Sequence, residues 1–231
     1  MRQPRGKRGG EEYRQVNGMG TGVIIDERGY IVTNHHVVEG VQQIRVTLAS
    51  GRTTTARLIA HDLETDLAVI KIRSNSDLPT INIGTSSDLL PGETVIAVGN
   101  AYGYEHTVTQ GIISALHRSV KVSDSQIYDD LIQTDASINP GNSGGPLLNV
   151  DGEMIGVNVA VRVGAQGIGF ALPVDQVMEV TSDLMSIANL ENHWHGLTGK
   201  TQGGSMVKKF EVDSVAKNSP AQKAGIMSGD V

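Results

Sequence analysis

Asn139-Pro-Gly-Asn-Ser-Gly-Gly-Pro-Leu147 constrains this 231-residue chain more than any other stretch. A serine set among glycines has a backbone free to turn sharply and little bulk around its hydroxyl. Both conditions are needed if Oγ is to attack a carbonyl while neighbouring backbone N–H groups receive the oxyanion. Ser143 is therefore a candidate nucleophile. The alternative is a glycine-rich hairpin turn, common in chains with many strands.

Composition narrows the setting. The chain holds 28 glycines, 39% hydrophobic residues and only 3% aromatics, so valine and isoleucine must fill the core, and they favour strands. A net charge of −6 argues against a general nucleic-acid binder. Arg2, Arg5, Lys7 and Arg8 lie in a Gly-rich, apolar-poor run, which predicts a flexible leader over 1–17. With no cysteine, disulfides, thiolate metal sites and a cysteine nucleophile all drop out. No apolar run of about 18 residues predicts a membrane span. The apolar core of a signal peptide is also missing at the start, so the chain either stays inside the cell or begins downstream of an export signal.

Short Val/Ile-rich runs then recur between turn signals. Thr21–Ile25 and Tyr30–Thr33 flank one hairpin loop, and Ile44–Ala49 and Thr53–Ile59 flank another, before Leu67–Ile72. A second series runs through Thr94–Val98, Thr107–Leu116, Pro146–Asn149, Met154–Val163 and Ile168–Leu172. This spacing predicts an all-β fold of antiparallel sandwiches or barrels, with the polar stretch 73–92 joining two lobes at about 18–78 and 88–175. One helix is predicted over 173–190, with Pro173 in its first turn. Beyond it, Gly204–Val212 reads as a strand and Pro220–Ala224 as a short helix, in a segment too small to bury a core alone.

A serine hydroxyl needs a base, and the base needs a third group to hold its tautomer. Of seven histidines, His35 and His36 are predicted to end a strand, in Tyr30-Ile-Val-Thr-Asn-His-His-Val-Val38, where a side chain can project into a cleft. His36 directly precedes Val37-Val38 and is the candidate base. Asp66 directly precedes Leu67-Ala-Val-Ile-Lys-Ile72. A carboxylate at the mouth of a buried strand is costly unless hydrogen-bonded, and an imidazole N–H would satisfy it. Asp62 and Glu64 sit in a polar loop with no such need.

Thr33-Asn-His-His-Val-Val38, the Asp66–Ile72 run and Gly141-Asn-Ser-Gly-Gly-Pro-Leu147 occur in the order His, Asp, Ser. They resemble the HtrA (DegP/DegQ/DegS) branch of the chymotrypsin-fold serine proteases, from about Gly18 to Leu190. Gly20-Thr-Gly-Val-Ile-Ile-Asp26, Gln133-Thr-Asp-Ala-Ser-Ile-Asn139 and Gly167-Ile-Gly-Phe-Ala-Leu-Pro173 resemble further signature stretches of that family. Residues 191–231, especially Ser219–Ile226, resemble the opening part of a PDZ domain.

The resemblance implies two antiparallel β-barrel lobes with the active site between them, and a His36–Asp66–Ser143 triad. It implies an oxyanion hole from the backbone N–H groups of Gly141 and Ser143. Where relatives that cut after Lys or Arg carry an acid, six residues before the serine, this chain has Ser137. Ile138 and Val161 match pocket-lining positions and imply small aliphatic P1 side chains; the alternative is that both fill the core. Asp135 reads as structural, bonding the backbone of the serine loop. Unfolded polypeptide substrates, a homotrimer and an extracytoplasmic site of action follow from the resemblance alone, and neither cofactor nor metal is called for. A protease-fold chaperone with little activity at rest is the competing reading.

Overall fold

Leu67-Ala-Val-Ile-Lys-Ile72 is apolar on both faces, as a strand flanked by two others and packed on both sides must be, and five of its six residues are buried. The computed structural model that contains it describes residues 19–100, 107–121, 127–159, 167–192, 196–202 and 209–230. Two compact units divide the chain, Met1–Ser182 and Asp183–Val231.

The first lobe is one antiparallel sheet of β1 (Val23–Asp26), β2 (Tyr30–Asn34), β3 (Ile44–Thr47), β4 (Thr53–Asp62) and β5 (Leu67–Ile72), in the order β1-β2-β5-β4-β3. Between β2 and β3 lies a single helical turn, α1 (His35–Val38). Ile31, Ala68, Ile70 and Ile72 form its core, and Val38 of α1 packs into it.

The second lobe comprises β6 (Thr94–Gly99), β7 (Thr107–Lys121), β8 (Ile127–Thr134), β9 (Pro146–Leu148), β10 (Met154–Val159) and β11 (Gly169–Pro173). These close into a barrel in the order β10-β11-β8-β7-β6-β9. β6 alternates half-buried and buried positions, whereas all six residues of β10 are buried. Val95, Ile113, Ile132, Leu147 and Ile155 fill the barrel. A further cluster spans both lobes: Val23, Val32 and Leu67 from the first meet Leu131, Met154 and Leu172 of the second, with Val174 and Val177 of α2 (Val174–Asn192). The join is stitched to each lobe, since Ile81 N donates to Ile24 O at 3.1 Å and Met154 N to Asn82 O at 2.8 Å.

Most predicted strands are present with ends moved by a few residues. β8 was not predicted: Ile-Tyr-Asp-Asp-Leu-Ile-Gln-Thr breaks alternation because its pairing with β7 is bulged. His117 and Asp130, which pair there, both have positive φ, 55° and 60°. Pro173 ends β11 rather than lying in the helix, which starts at Val174. A proline leaves no N–H to donate, so it suits that last strand position.

In the second unit β12 (Leu197–Gln202) pairs antiparallel with β13 (Lys209–Val215), and α3 (Pro220–Lys223) follows. The Ser219 hydroxyl caps α3 by accepting from Gln222 N at 3.1 Å. The strand predicted from Gly204 thus begins, among described residues, at Lys209 and runs on to Val215. β12 was not predicted, its Leu-Thr-Gly-Lys-Thr-Gln being mostly polar. No helix of the described residues is long and apolar enough to cross a membrane.

Candidate active site

β2 ends at Asn34, and the chain turns at once into α1, so His35 and His36 lie on a helical turn rather than on the predicted strand end. Glu39 N donates to His35 O at 2.9 Å and closes the turn. Successive helical side chains diverge by about 100°, so the two histidines face different ways. His35 stacks on His61 with ring centroids 4.4 Å apart. His36 faces Asp66, its Nδ1 2.6 Å from Asp66 Oδ2.

Asp66 stands at the turn from β4 into β5 with φ 57°, a left-handed conformation that aspartate tolerates better than most side chains. Its carbonyl accepts from His35 N at 2.8 Å and from Asn34 Nδ2 at 3.1 Å. Its Oδ1 accepts from His36 N at 2.8 Å. Backbone and carboxylate are thus both held by the segment that carries the imidazole, and Asp66 is only 5% exposed.

Sequence reasoning missed a third donor. Tyr128 of β8 donates its hydroxyl to Asp66 Oδ2 at 2.9 Å across the lobe boundary. Burial, then the Asp66 charge and the hydrogen bond to it, push the Tyr128 phenol well above its usual range, so it stays a donor. Nothing in Ile127-Tyr-Asp-Asp130 signals this role; the one available cue was that a buried tyrosine hydroxyl needs a partner.

Ser143 is buried, 2% exposed, in a loop built from tight turns. Asn142 N donates to Asn139 O at 2.9 Å, with Pro140 and Gly141 between them and Gly141 at φ 105°. Proline second and a positive-φ glycine third are what a type II turn requires. Gly144 at φ 79° takes the loop against the histidine strand: a Cβ there would collide with the Thr21 carbonyl and the Thr33 hydroxyl and stand 3.0 Å from Asn34 N. Gly144 N donates to Asn158 O and Asn158 N to Gly145 O, at 2.9 and 2.8 Å, which fastens the loop to β10. The serine backbone is thereby fixed beside the strand that delivers His36, whose side chain remains 42% exposed.

The remaining predicted residues divide. Ile138 is half-buried, packs against the barrel core and lies against Gly169 of β11. Val161 lies outside the described residues. Ser137 is exposed, and its carbonyl accepts from Thr109 Oγ1 at 3.0 Å. Asp135 bonds backbone, but of β7 rather than of its own loop: Ile112 N donates to its Oδ1 at 2.7 Å. No group of three or more potential metal-ligating side chains occurs among the described residues.

An imidazole oriented by a buried carboxylate, and a buried serine on a glycine-turned loop fixed against the strand that leads to that imidazole, are the groups that acyl transfer uses. A family model described as a trypsin-like peptidase domain matches residues 20–157. The solved structure titled HtrA-type protease AlgW with decapeptide is 39% identical, with TM-score 0.67, covering 92% of this chain and 68% of that one. The chain belongs to the HtrA-type trypsin-like peptidases. A probable periplasmic serine endoprotease, DegP-like, of Hahella chejuensis is 40% identical over 96% of this HtrA-type chain and 50% of its own length. The putative serine protease HhoB of Synechocystis is 42% identical over 93% of this chain and 55% of its own. The chain thus spans about half the length of the curated HtrA-type relatives it matches.

Proposed function

We propose that this chain is a serine endopeptidase in which Ser143, His36 and Asp66 form the catalytic triad. The observation that carries the reading is the 2.6 Å bond between His36 Nδ1 and Asp66 Oδ2, in a pair that the bond from His36 N to Asp66 Oδ1 holds a second time. Asp66 fixes the tautomer with the proton on Nδ1 and leaves Nε2 to act as base. Ser143 Oγ attacks the scissile carbonyl carbon while His36 takes its proton, and the N–H groups of Gly141 and Ser143 receive the oxyanion. The imidazolium then protonates the leaving amine. Water attacks the resulting acyl-enzyme by the reverse proton path, releasing the acid and restoring Ser143.

By family likeness alone, Ile138 and Val161 match positions that line the P1 pocket, and bulky apolar residues there favour small aliphatic P1 side chains. The substrates are unfolded or misfolded polypeptides, and the role is protein quality control in an extracytoplasmic compartment, where relatives are named periplasmic. The protease domain assembles as a homotrimer, and residues 191–231 are the start of a PDZ domain; both rest on the family likeness.

A fluorophosphonate probe tests the reading. The wild-type chain is expected to be labelled at Ser143 and to cleave unfolded casein, and Ser143→Ala to lose both. Cleavage that survives Ser143→Ala overturns the mechanism. A folded wild-type chain that takes no label and cleaves nothing favours the chaperone reading.

A further inference from the structure

Gly20-Thr-Gly-Val-Ile-Ile-Asp26 resembles a family signature, yet β1 begins only at Val23 and the site just described gives Thr21 no chemical part. Its polar atoms are nevertheless all engaged. Thr21 N donates to Ser143 O at 2.8 Å. Thr21 O accepts from Thr33 Oγ1 at 2.6 Å. Thr21 Oγ1 donates to Gly141 O at 2.7 Å and accepts from Asn100 N at 3.0 Å. A residue whose only task was to enter a strand would need none of the last three.

These bonds have a direction. Gly141 O and Ser143 O bracket the segment that carries the Ser143 N–H, and Thr21 grips both. Holding two carbonyls orients the peptide planes on either side of Asn142-Ser143. The same residue receives Thr33 Oγ1, three positions before His36. Thr21 is therefore a staple between the strand that delivers the imidazole and the loop that carries the nucleophile and the oxyanion donors.

We propose that Thr21 is a positioning residue for the oxyanion site, acting through its hydroxyl on the Gly141 carbonyl. This rests on the protease reading above. Thr21→Val keeps the shape and both backbone bonds but leaves Gly141 O with only the longer bond from Asn100 N, 3.3 Å, and leaves that N–H without its hydroxyl acceptor. The donors would then sit loosely where oxyanion charge develops, a loss felt in the transition state and not in substrate binding.

The test compares Thr21→Val and Thr21→Ser in the full 231-residue chain, using a peptide substrate with valine at P1 and the fluorophosphonate probe. Thr21→Val is expected to lower kcat roughly tenfold to a hundredfold, less than outright removal of an oxyanion donor, with KM changed less than about threefold. Thr21→Ser, which restores the hydroxyl, is expected to recover kcat to within about threefold. Probe labelling should follow kcat, and melting temperatures should separate activity from folding. Unchanged kcat in Thr21→Val, a loss shared equally by Thr21→Ser, or a loss that appears only with unfolding overturns the staple. In each of those outcomes an active wild type and a dead Ser143→Ala leave the protease reading standing. A wild type that neither cleaves nor takes label overturns both.

Discussion

Tyr128 shows how much of this site is decided by single atoms that no motif announces. Asp66 Oδ2 is shared between His36 Nδ1 at 2.6 Å and Tyr128 Oη at 2.9 Å. Deleting one donor to a buried carboxylate costs about 1–3 kcal/mol, because the freed lone pair finds no water. Tyr128→Phe is therefore expected to lower stability by about that amount at neutral pH, read by urea unfolding, and to lower kcat/KM as Asp66 loosens its hold on His36. Its pH signature has a definite sign. The Tyr128 pKa is raised above the ordinary value of 10.0, so the unfolded chain loses this proton first. Its stabilisation is complete below pH 10 and is lost as pH rises beyond it. The wild-type advantage over Tyr128→Phe should shrink above about pH 10; an advantage constant up to pH 11 would refute the linkage. The candidate triad itself was legible, because His36, Asp66 and Ser143 each carry a local mark: a polar pair closing an apolar run, an acid at the mouth of a buried strand, a serine among glycines. Tyr128, 62 positions from its partner, carries none.

Elements were legible where burial was regular and obscure where it was not. β5 kept its predicted bounds because a run apolar at every position but Lys71, set between polar residues, is clearly delimited, whereas β8 vanished from the sequence pattern where bulges shift its register. Four-residue α1 was unreadable for another reason: a single helical turn is too short to show a period, yet it is what sends His35 to His61 and His36 to Asp66. The turn that leads into β5 has its own clamp. Asp62 Oδ2 accepts from Thr65 N at 2.8 Å and from Thr65 Oγ1 at 2.6 Å, one residue before Asp66. Burial pushes the Asp62 carboxyl up, but the Thr65 hydroxyl, the Thr65 and Glu64 amides and the His61 charge outweigh it and hold it below the ordinary range. A lowered carboxylate stabilises the fold above its unfolded pKa and stops doing so as pH falls through the folded one. Asp62→Ala is thus expected to cost about 1 kcal/mol at pH 7, with the difference from wild type closing toward pH 3. Thermal unfolding of both proteins at the two pH values checks it, and a gap that persists undiminished in acid would show packing rather than charge at work.

For the molecule as a whole, three stretches far apart in sequence become neighbours because two lobes share one apolar seam. Val23 of β1, Val32 of β2, which ends at α1, and Leu67 of β5, which begins directly after Asp66, share one apolar cluster with Leu131, Met154 and Leu172 of the barrel. The order His, Asp, Ser was visible in the sequence; the seam was not, since it depends on which faces of β2, β5, β8 and β10 meet. Each hydrogen-bond partner named for the site lies within Met1–Ser182, as does every residue of the apolar clusters. The β12–β13 hairpin and α3 belong to the other unit. A chain ended after Asn192, the last residue of α2, keeps all of these groups. It is expected to fold with a single cooperative transition and to take the fluorophosphonate label at a rate within about threefold of the full chain. Urea unfolding together with timed labelling decides the matter. A shortened protein that unfolds cooperatively yet labels tenfold or more slowly would mean that residues 193–231 act on the serine loop, and the account of that loop as held by Thr21, Asn158 and the Asn139–Asn142 turn would then be incomplete.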